Sequence, residues 1–144
     1  AYAYTDATKI IGVEMNKDLC DLQNDIVNKY KMTERIEVIN KRIEDCVDVL
    51  SKADVIVLNN VFEFYLSEEE QTAVWKFLKT NIKKGTYLVT VPSVEVALST
   101  LKTGIDIEKW LEETSSSKEV DRTVNDNEKP DEFDMAEIHC YKVL

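Results

Sequence analysis

The chain has 144 residues, with 18 Lys and Arg against 28 Asp and Glu, and its formal net charge of -10 disfavours a nucleic-acid groove, which needs clustered basic charge. Its length suits a single domain of about 100–200 residues. The sequence contains no long apolar run, so we expect no membrane partner. One His argues against zinc sites and His-based triads, and three Cys without a CxxC spacing favour a reducing compartment such as the cytoplasm.

Strand and helix patterns alternate in the first part of the chain. The apolar run of residues 9–14 predicts a strand, and Asn16 then predicts the N-cap of a helix with apolar residues at helical spacing. Residues 35–39 predict a second strand, and residues 45–51 a short helix. The β-branched run at 53–58 predicts a strand that is covered on both faces, as in a parallel sheet.

The next helix has the clearest signals for its two ends. Ser67 and Glu70 form a capping box, and the neighbouring acids lie at the positive end of the helix dipole. Two lysines and a glycine at 83–85 predict its end. Residues 86–91 then predict a strand that Pro92 ends.

The last third of the chain is more polar. Ala97, Leu98 and Leu101 predict a helix that runs to Gly104, and the segment 115–134 predicts a mobile loop within a single domain, 1–144. Residues 137–144 predict a closing strand, at a sheet edge or with an antiparallel partner. The alternation implies right-handed crossovers and an α/β fold with a doubly wound, mostly parallel sheet.

Polar and aromatic residues follow several of the predicted strands. In an open α/β sheet, ligands bind beyond the carboxyl ends of the strands. The candidate site residues at these ends are Glu14, Met15, Ile43, Asp45, Asn59, Asn60, Phe62 and Tyr65. We therefore expect this rim to bind a polar, partly aromatic ligand.

Most of these candidates have two interpretations. Glu14 can accept hydrogen bonds from both hydroxyls of a ribose, or can be a solvated acid that caps the next helix. Asp45 can accept a bond from an adenine amino group, with Ile43 packed on the ring, or can be a helix N-cap. Asn59 and Asn60 can present amide oxygens to an amine or a sulfonium, or can form a turn.

Aromatic residues after the third predicted strand also have two interpretations. Phe62, Phe64 and Tyr65 can wall a pocket for a cation through their ring faces, or can simply pack in the core. His139 and Cys140 are not a catalytic pair, because neighbouring side chains on a strand point to opposite faces.

Three stretches resemble class I S-adenosylmethionine-dependent methyltransferases, the seven-stranded Rossmann-like family. Residues 10–14 (IIGVE) are similar to the family's second strand with its ribose-binding acid. Residues 53–62 (ADVIVLNNVF) resemble its fourth strand and substrate-side motif. Residues 83–89 (KKGTYLV) resemble the turn into its fifth strand, with Thr86 in place of a glycine.

Within that family, the Asn-Asn-x-Phe segment looks closest to the non-SET histone lysine methyltransferases, although Val61 interrupts their motif. The resemblance implies S-adenosyl-L-methionine as cofactor and methyl transfer to a protein side chain, a lysine, in the cytoplasm or nucleus. Combined with the interpretations above, it predicts these roles: cofactor binding by Glu14, Met15, Ile43, Asp45 and Asn59, catalysis by Asn59 and Asn60, and substrate binding by Phe62 and Tyr65.

The family's glycine-rich loop has no counterpart in the sequence. Only Gly12, Gly85 and Gly104 occur, so there is no Gly-x-Gly, and we expect the family's first strand and its loop to precede residue 1. In the family's order that strand is central, between the strands that end at Glu14 and Asn59. We expect a shortened domain that binds cofactor weakly or not at all. The alternatives are a catalytically inactive, methyltransferase-like interaction module or shortened isoform, and a nicotinamide-binding Rossmann fragment.

Overall fold

The computed structural model describes residues 1–116 and 138–144, without the side chains of Ser115 and Ser116. The chain separates into two compact units, residues 1–47 and residues 48–144. Each unit contains a sheet of its own, two-stranded in the first and four-stranded in the second.

The first unit is a strand–helix–strand crossover. Strand β1 (Ile10–Val13) leads into helix α1 (Lys17–Lys29) and strand β2 (Ile36–Ile39), followed by a short 3₁₀ helix (Ile43–Asp45). β1 and β2 pair in parallel along their whole length. The side chain of Asn16 accepts a hydrogen bond from the Leu19 N–H at 3.1 Å, so the predicted N-cap of α1 is confirmed.

One arginine holds the first eight residues against this unit. The guanidinium group of Arg35 donates to the carbonyl oxygens of Ala7 at 2.8 Å, Tyr2 at 3.1 Å and Thr5 at 2.6 Å. It also lies over the ring of Tyr2, 4.8 Å from the centroid. A planar group with five donors can satisfy three carbonyls at once, so Arg35 gives this non-helical segment a defined path.

The second unit is a mixed sheet flanked by helices. Its elements are α2 (Val47–Leu50, which begins at the end of the first unit), β3 (Val55–Asn59), α3 (Glu68–Asn81), β4 (Tyr87–Val91), α4 (Val94–Leu98), α5 (Ile107–Trp110), β5 (Leu111–Ser116) and β6 (His139–Val143). The strand order is β3-β4-β6-β5. β3 and β4 are parallel, whereas β6 runs antiparallel to both of its neighbours. The antiparallel alternative for the closing strand is therefore confirmed.

Helix α3 begins with the predicted capping box. The Glu70 N–H donates to the hydroxyl of Ser67 at 3.3 Å, and the Ser67 N–H donates back to the Glu70 carboxylate at 2.9 Å. One face of the helix buries Val74, Trp75 and Leu78, each at most 2% exposed. This face contributes a large part of the hydrophobic core of the second unit.

Two sequence predictions in this unit are wrong. The helix expected to run to Gly104 is instead the short α4, which begins after Ser93, where the Ser93 hydroxyl accepts the Val96 N–H, and ends at Leu98. Residues 115 and 116, which the sequence predicts to open a loop, instead belong to β5 and pair with β6. The remainder of that predicted loop lies outside the described residues.

Strand β3 is covered less than its sequence predicts. Ile56 and Leu58 are partly buried, whereas Val55 and Val57 on the other face are 57% and 66% exposed. The prediction that other elements cover both faces of β3 is therefore wrong for the described residues. The β-branched run predicted the strand correctly, but propensity does not show what packs on each face.

Candidate functional site

In the first unit, Glu14 and Met15 directly follow β1. The Glu14 carboxylate accepts the Asn16 N–H at 2.7 Å, and the side-chain amide of Asn40 donates to the carbonyls of Glu14 at 2.9 Å and Met15 at 3.2 Å. These bonds join the segments that leave β1 and β2. The carboxylate thus serves the start of α1, as the alternative interpretation expects, and also lies at the carboxyl end of a parallel strand pair.

Ile43 and Asp45 follow the neighbouring strand β2. Both belong to the short 3₁₀ helix, in which Ile43 is partly buried and Asp45 is exposed. Because β1 and β2 are parallel, their carboxyl ends meet at one edge of the sheet. This edge therefore carries the carboxylate of Glu14 together with an apolar and an acidic side chain.

In the second unit, Asn59 is the last residue of β3 and Asn60 forms the turn after it. Asn60 has a positive φ of 47°, a conformation that Asn tolerates better than most residues. Its N–H donates to the Val91 carbonyl at 2.7 Å, and its side-chain amide donates to the Asn59 oxygen at 3.4 Å. The geometry supports the turn interpretation and places both amides at the carboxyl end of β3.

The two predicted substrate residues lie in different environments. Phe62 is 8% exposed and packs edge-to-face on Trp75, with ring centroids 5.8 Å apart. Tyr65 is 77% exposed and contacts the equally exposed Phe64, at 6.5 Å and an interplanar angle of 75°. Phe62 is thus a core residue of the second unit, whereas Phe64 and Tyr65 form an aromatic pair on its surface.

A small cavity lies at the carboxyl ends of β3 and β4. Its volume is about 10 Å³, which is room for one water-sized group. The residues that line it are Leu58, Asn60, Val61, Phe62, Glu63, Trp75, Thr90, Val91, Pro92 and Ala97. Four of them belong to the segment that follows β3, so the predicted strand-end residues Asn60 and Phe62 share one enclosed space.

Two polar atoms of the cavity-lining residues have no hydrogen-bond partner among the described residues. They are the indole N–H of Trp75 and the hydroxyl of Thr90, and each residue is 2% exposed. Buried polar groups are nearly always paired with protein or ordered water, so an ordered water or a small bound group can pair with these two. Sequence reasoning missed Thr90; a hydroxyl residue near the end of a buried strand was the available signal.

A tyrosine hydroxyl fixes the segment that leaves β4. The Tyr141 hydroxyl accepts the Val94 N–H at 3.2 Å and donates to the Glu95 carboxylate at 2.9 Å. Burial, more than the neighbouring carboxylate, raises the pKa of Tyr141 far above its ordinary value. Tyr141 therefore stays neutral and acts as a structural hydrogen-bond partner of α4.

In residues 1–116 and 138–144, no three His, Cys, Asp or Glu side chains are placed to hold a metal ion. No helix there is both long and apolar enough to cross a bilayer. Cys20, Cys46 and Cys140 form no disulfide with one another.

Neither a protein-family model nor a curated protein matches the sequence. Solved structures do match it, over 94–95% of this chain and 73–76% of theirs. They include a candidate methylase of Haemophilus influenzae (17% identity, TM-score 0.52), a candidate rRNA methylase of Clostridium thermocellum (9%, 0.55) and a candidate methyltransferase of Streptococcus mutans in complex with S-adenosylhomocysteine (8%, 0.55).

At these identities the likeness defines the fold. The chain has the Rossmann-like α/β fold of these methyltransferases, and the fold class predicted from the sequence is confirmed. The parallel pairs β1–β2 and β3–β4, with antiparallel β6 and β5 completing the second sheet, are the elements of that fold in the described residues.

Proposed function

We propose that this chain is the nucleoside-binding part of an S-adenosylmethionine-dependent methyltransferase. One observation carries the proposal: Glu14 lies at the carboxyl end of a parallel strand in a fold shared with a structure that contains S-adenosylhomocysteine. A carboxylate at this position can accept hydrogen bonds from both hydroxyls of a ribose.

The residues at the end of β1–β2 fit a nucleoside in their chemistry. Glu14 offers carboxylate oxygens to the sugar, and partly buried Ile43 offers an apolar surface to the face of adenine. Asp45 is exposed and can accept a bond from the adenine amino group. Met15, 56% exposed, follows Glu14 directly and is the further proposed cofactor residue of this unit.

S-adenosylmethionine, when bound, would supply an electrophilic methyl group: the lone pair of a neutral acceptor would bond to the methyl carbon as the carbon–sulfur bond breaks, and S-adenosylhomocysteine would leave. The chain's own part is to position the acceptor and orient dipoles toward it. Asn59 and Asn60 present neutral amides at a strand end, where an amide oxygen can accept a bond from an amine N–H. No covalent nucleophile of the protein is needed for this reaction.

We further propose a protein amine, the side chain of lysine, as the methyl acceptor. The cavity beside Asn60 is narrow and mostly apolar, and an apolar environment favours the neutral amine that the reaction needs. Its volume of about 10 Å³ has room for one water-sized group such as an amine nitrogen, and none for a nucleobase.

The test is a titration of the ¹⁵N-labelled chain with S-adenosylhomocysteine up to millimolar concentration. We expect weak binding, with amide shifts concentrated at Glu14, Met15, Ile43 and Asp45. Glu14→Gln keeps an acceptor for the Asn16 N–H but removes the charge, and should weaken binding about tenfold. Exposed Asp25 on α1 provides the matched control, Asp25→Asn, which should bind like the parent chain.

Two results would contradict the cofactor proposal. One is the absence of shifts at these amides at millimolar S-adenosylhomocysteine. The other is an equal response to NAD, which would favour the nicotinamide-binding alternative.

A second candidate function is a non-catalytic, methyltransferase-like interaction module. The sequence feature that favours it is the acidic balance of the chain, whose formal net charge of -10 suits a basic protein partner. Binding of a protein partner by a chain that shows no response to S-adenosylhomocysteine would support this module over the enzyme.

A further inference from the structure

The segment between β3 and α3 carries an exposed aromatic pair among acids. Phe64 and Tyr65 are each 77% exposed, and their rings meet edge-to-face at 75°. The exposed carboxylates of Glu63, Glu68 and Glu69 lie in the same short stretch. We call these five residues the aromatic–acidic surface.

The charged side chains of this surface are all negative. Residues 53–75 contain five acids and no Lys or Arg. Among the described residues, no Lys, Arg or His forms an ion pair with the three carboxylates of the surface. Exposed ring faces attract cations through their quadrupole, and nearby carboxylates that have no cationic partner add to that attraction.

A second, independent observation places a binding group beside this surface. Glu63 also lines the small cavity, together with Trp75 and Thr90, whose indole N–H and hydroxyl have no hydrogen-bond partner among the described residues. Both residues are 98% buried, so their unpaired groups have been removed from bulk water without compensation in the chain itself. A molecule held on the surface can therefore also place a hydrogen-bonding group in the cavity.

We propose that the aromatic–acidic surface docks a basic segment of the methyl-accepting protein. Lys or Arg side chains of that segment lie on the faces of Phe64 and Tyr65, and the three carboxylates attract their charge. One slender polar group of the segment reaches Trp75 and Thr90 in the cavity. This inference rests on the proposed function, because it names the partner of the same site.

The chemistry favours a polypeptide over RNA as the occupant. Phosphates would face three unpaired carboxylates on a protein of net charge -10, and electrostatic repulsion would oppose binding. The aromatic pair alone could stack on bases, so an oligonucleotide is included in the test as the contrary outcome.

The experiment measures fluorescence anisotropy of a labelled nonalysine peptide with the whole 144-residue chain. Phe64→Ala/Tyr65→Ala should weaken binding about tenfold, because it removes both ring faces. Phe64→Leu/Tyr65→Leu keeps apolar bulk without aromatic faces, and should lose nearly as much affinity. Tyr4, whose side chain is 95% exposed in the first unit, provides the matched control Tyr4→Ala, which should bind like the parent.

A second pair of variants tests the charge. Glu68→Gln/Glu69→Gln should weaken peptide binding about threefold or more and reduce its dependence on salt. Glu108→Gln/Glu112→Gln removes the same charge from exposed positions elsewhere in the second unit, and should have a smaller effect. Circular dichroism establishes that each variant is folded.

Three outcomes overturn the docking proposal: no binding of the peptide by the parent chain, equal loss in the control variants, or preferential binding of a nine-nucleotide oligouridine. The titration with S-adenosylhomocysteine is repeated on Phe64→Ala/Tyr65→Ala. Retained amide shifts with lost peptide affinity support both proposals. Peptide affinity without any response to S-adenosylhomocysteine in the parent chain contradicts the proposed function instead.

Discussion

Thr86 and Thr90 are two buried threonines with different hydrogen bonding. The Thr86 hydroxyl donates to the Ala53 carbonyl at 2.9 Å, whereas the Thr90 hydroxyl has no partner among the described residues. Valine has nearly the same shape as threonine, so substitution tests the hydroxyl alone. The two positions therefore form an internal comparison for the cavity at the end of β4.

We expect Thr90→Val to raise the free energy of unfolding by about 1 kcal/mol, because it removes an unpaired buried hydroxyl. Thr86→Val should lower it by about 1–2 kcal/mol, since it leaves the Ala53 carbonyl without its donor. Urea denaturation measures both. Equal destabilisation by the two variants would mean that Thr90 is already paired, with a water in the cavity as its partner.

Ionisation of the Tyr141 hydroxyl makes the stability of the second unit depend on pH in the alkaline range. Its folded-state pKa lies far above the unfolded value of 10.0, chiefly because the side chain is buried. Stability from this group is therefore complete below pH 10.0 and is lost as pH rises toward the folded pKa, because the unfolded chain releases its proton first.

Tyr141→Phe should lower the free energy of unfolding at neutral pH by about 1–3 kcal/mol, since the Val94 N–H loses its acceptor. The variant should also lose less stability than the parent above pH 10.0. Urea unfolding at neutral and alkaline pH measures both effects. Parallel pH profiles for the two proteins would show that Tyr141 is not the titrating group.

Residue-level prediction from the sequence succeeded where the cause is local. The sequence allows a turn at Asn60, because Asn tolerates unusual backbone angles, and the positive φ of Asn60 agrees with a turn. Burial was harder to predict, since Phe62 and Tyr65 look alike in sequence but are 8% and 77% exposed. Which aromatic enters the core depends on α3, through Trp75, and not on the neighbouring residues.

At the scale of the element, the first turn of α3 gives a prediction that depends on the capping box. Ser67→Ala removes the acceptor of the Glu70 N–H and should lower the free energy of unfolding by about 1 kcal/mol. Ser67→Asp keeps an acceptor and a favourable charge at the helix start, and should retain most of the stability. Thermal unfolding followed by circular dichroism measures both, and equal loss in the two variants would contradict the capping role.

Some helix and strand boundaries are likewise set by neighbouring residues, and others by residues far away in the sequence. The start of α3 was predictable because Ser67 and Glu70 are three residues apart and bond to each other. The strand β5 was not, because its polar residues become a strand only by pairing with β6, more than 20 residues later. The position of β6 between β4 and β5 likewise follows from distant pairings such as Tyr87 with Lys142.

At the scale of the whole molecule, the two units differ in the size of their hydrophobic cores. The buried apolar residues of the first unit are Cys20, Val27 and Cys46, whereas the second unit buries a larger set that includes two tryptophans. On helix α1, Leu19, Leu22 and Ile26 remain 44–55% exposed. Hydrophobic stabilisation grows with the apolar area removed from water. The first unit therefore has far less hydrophobic stabilisation to offset the loss of chain entropy on folding.

We therefore expect the first unit to open before the second, which hydrogen exchange read by mass spectrometry can measure. Amides of β1 and β2 should exchange well before those of β4 and α3, whose side chains include Leu88, Val74 and Leu78 at 0–1% exposure. A ligand that binds only the closed first unit slows its exchange by mass action, so millimolar S-adenosylhomocysteine should protect β1 and β2 selectively. Equal exchange in all four elements would contradict the difference in core size. Protection confined to β4 and α3 would place the nucleoside in the second unit and remove Glu14 from the proposed site.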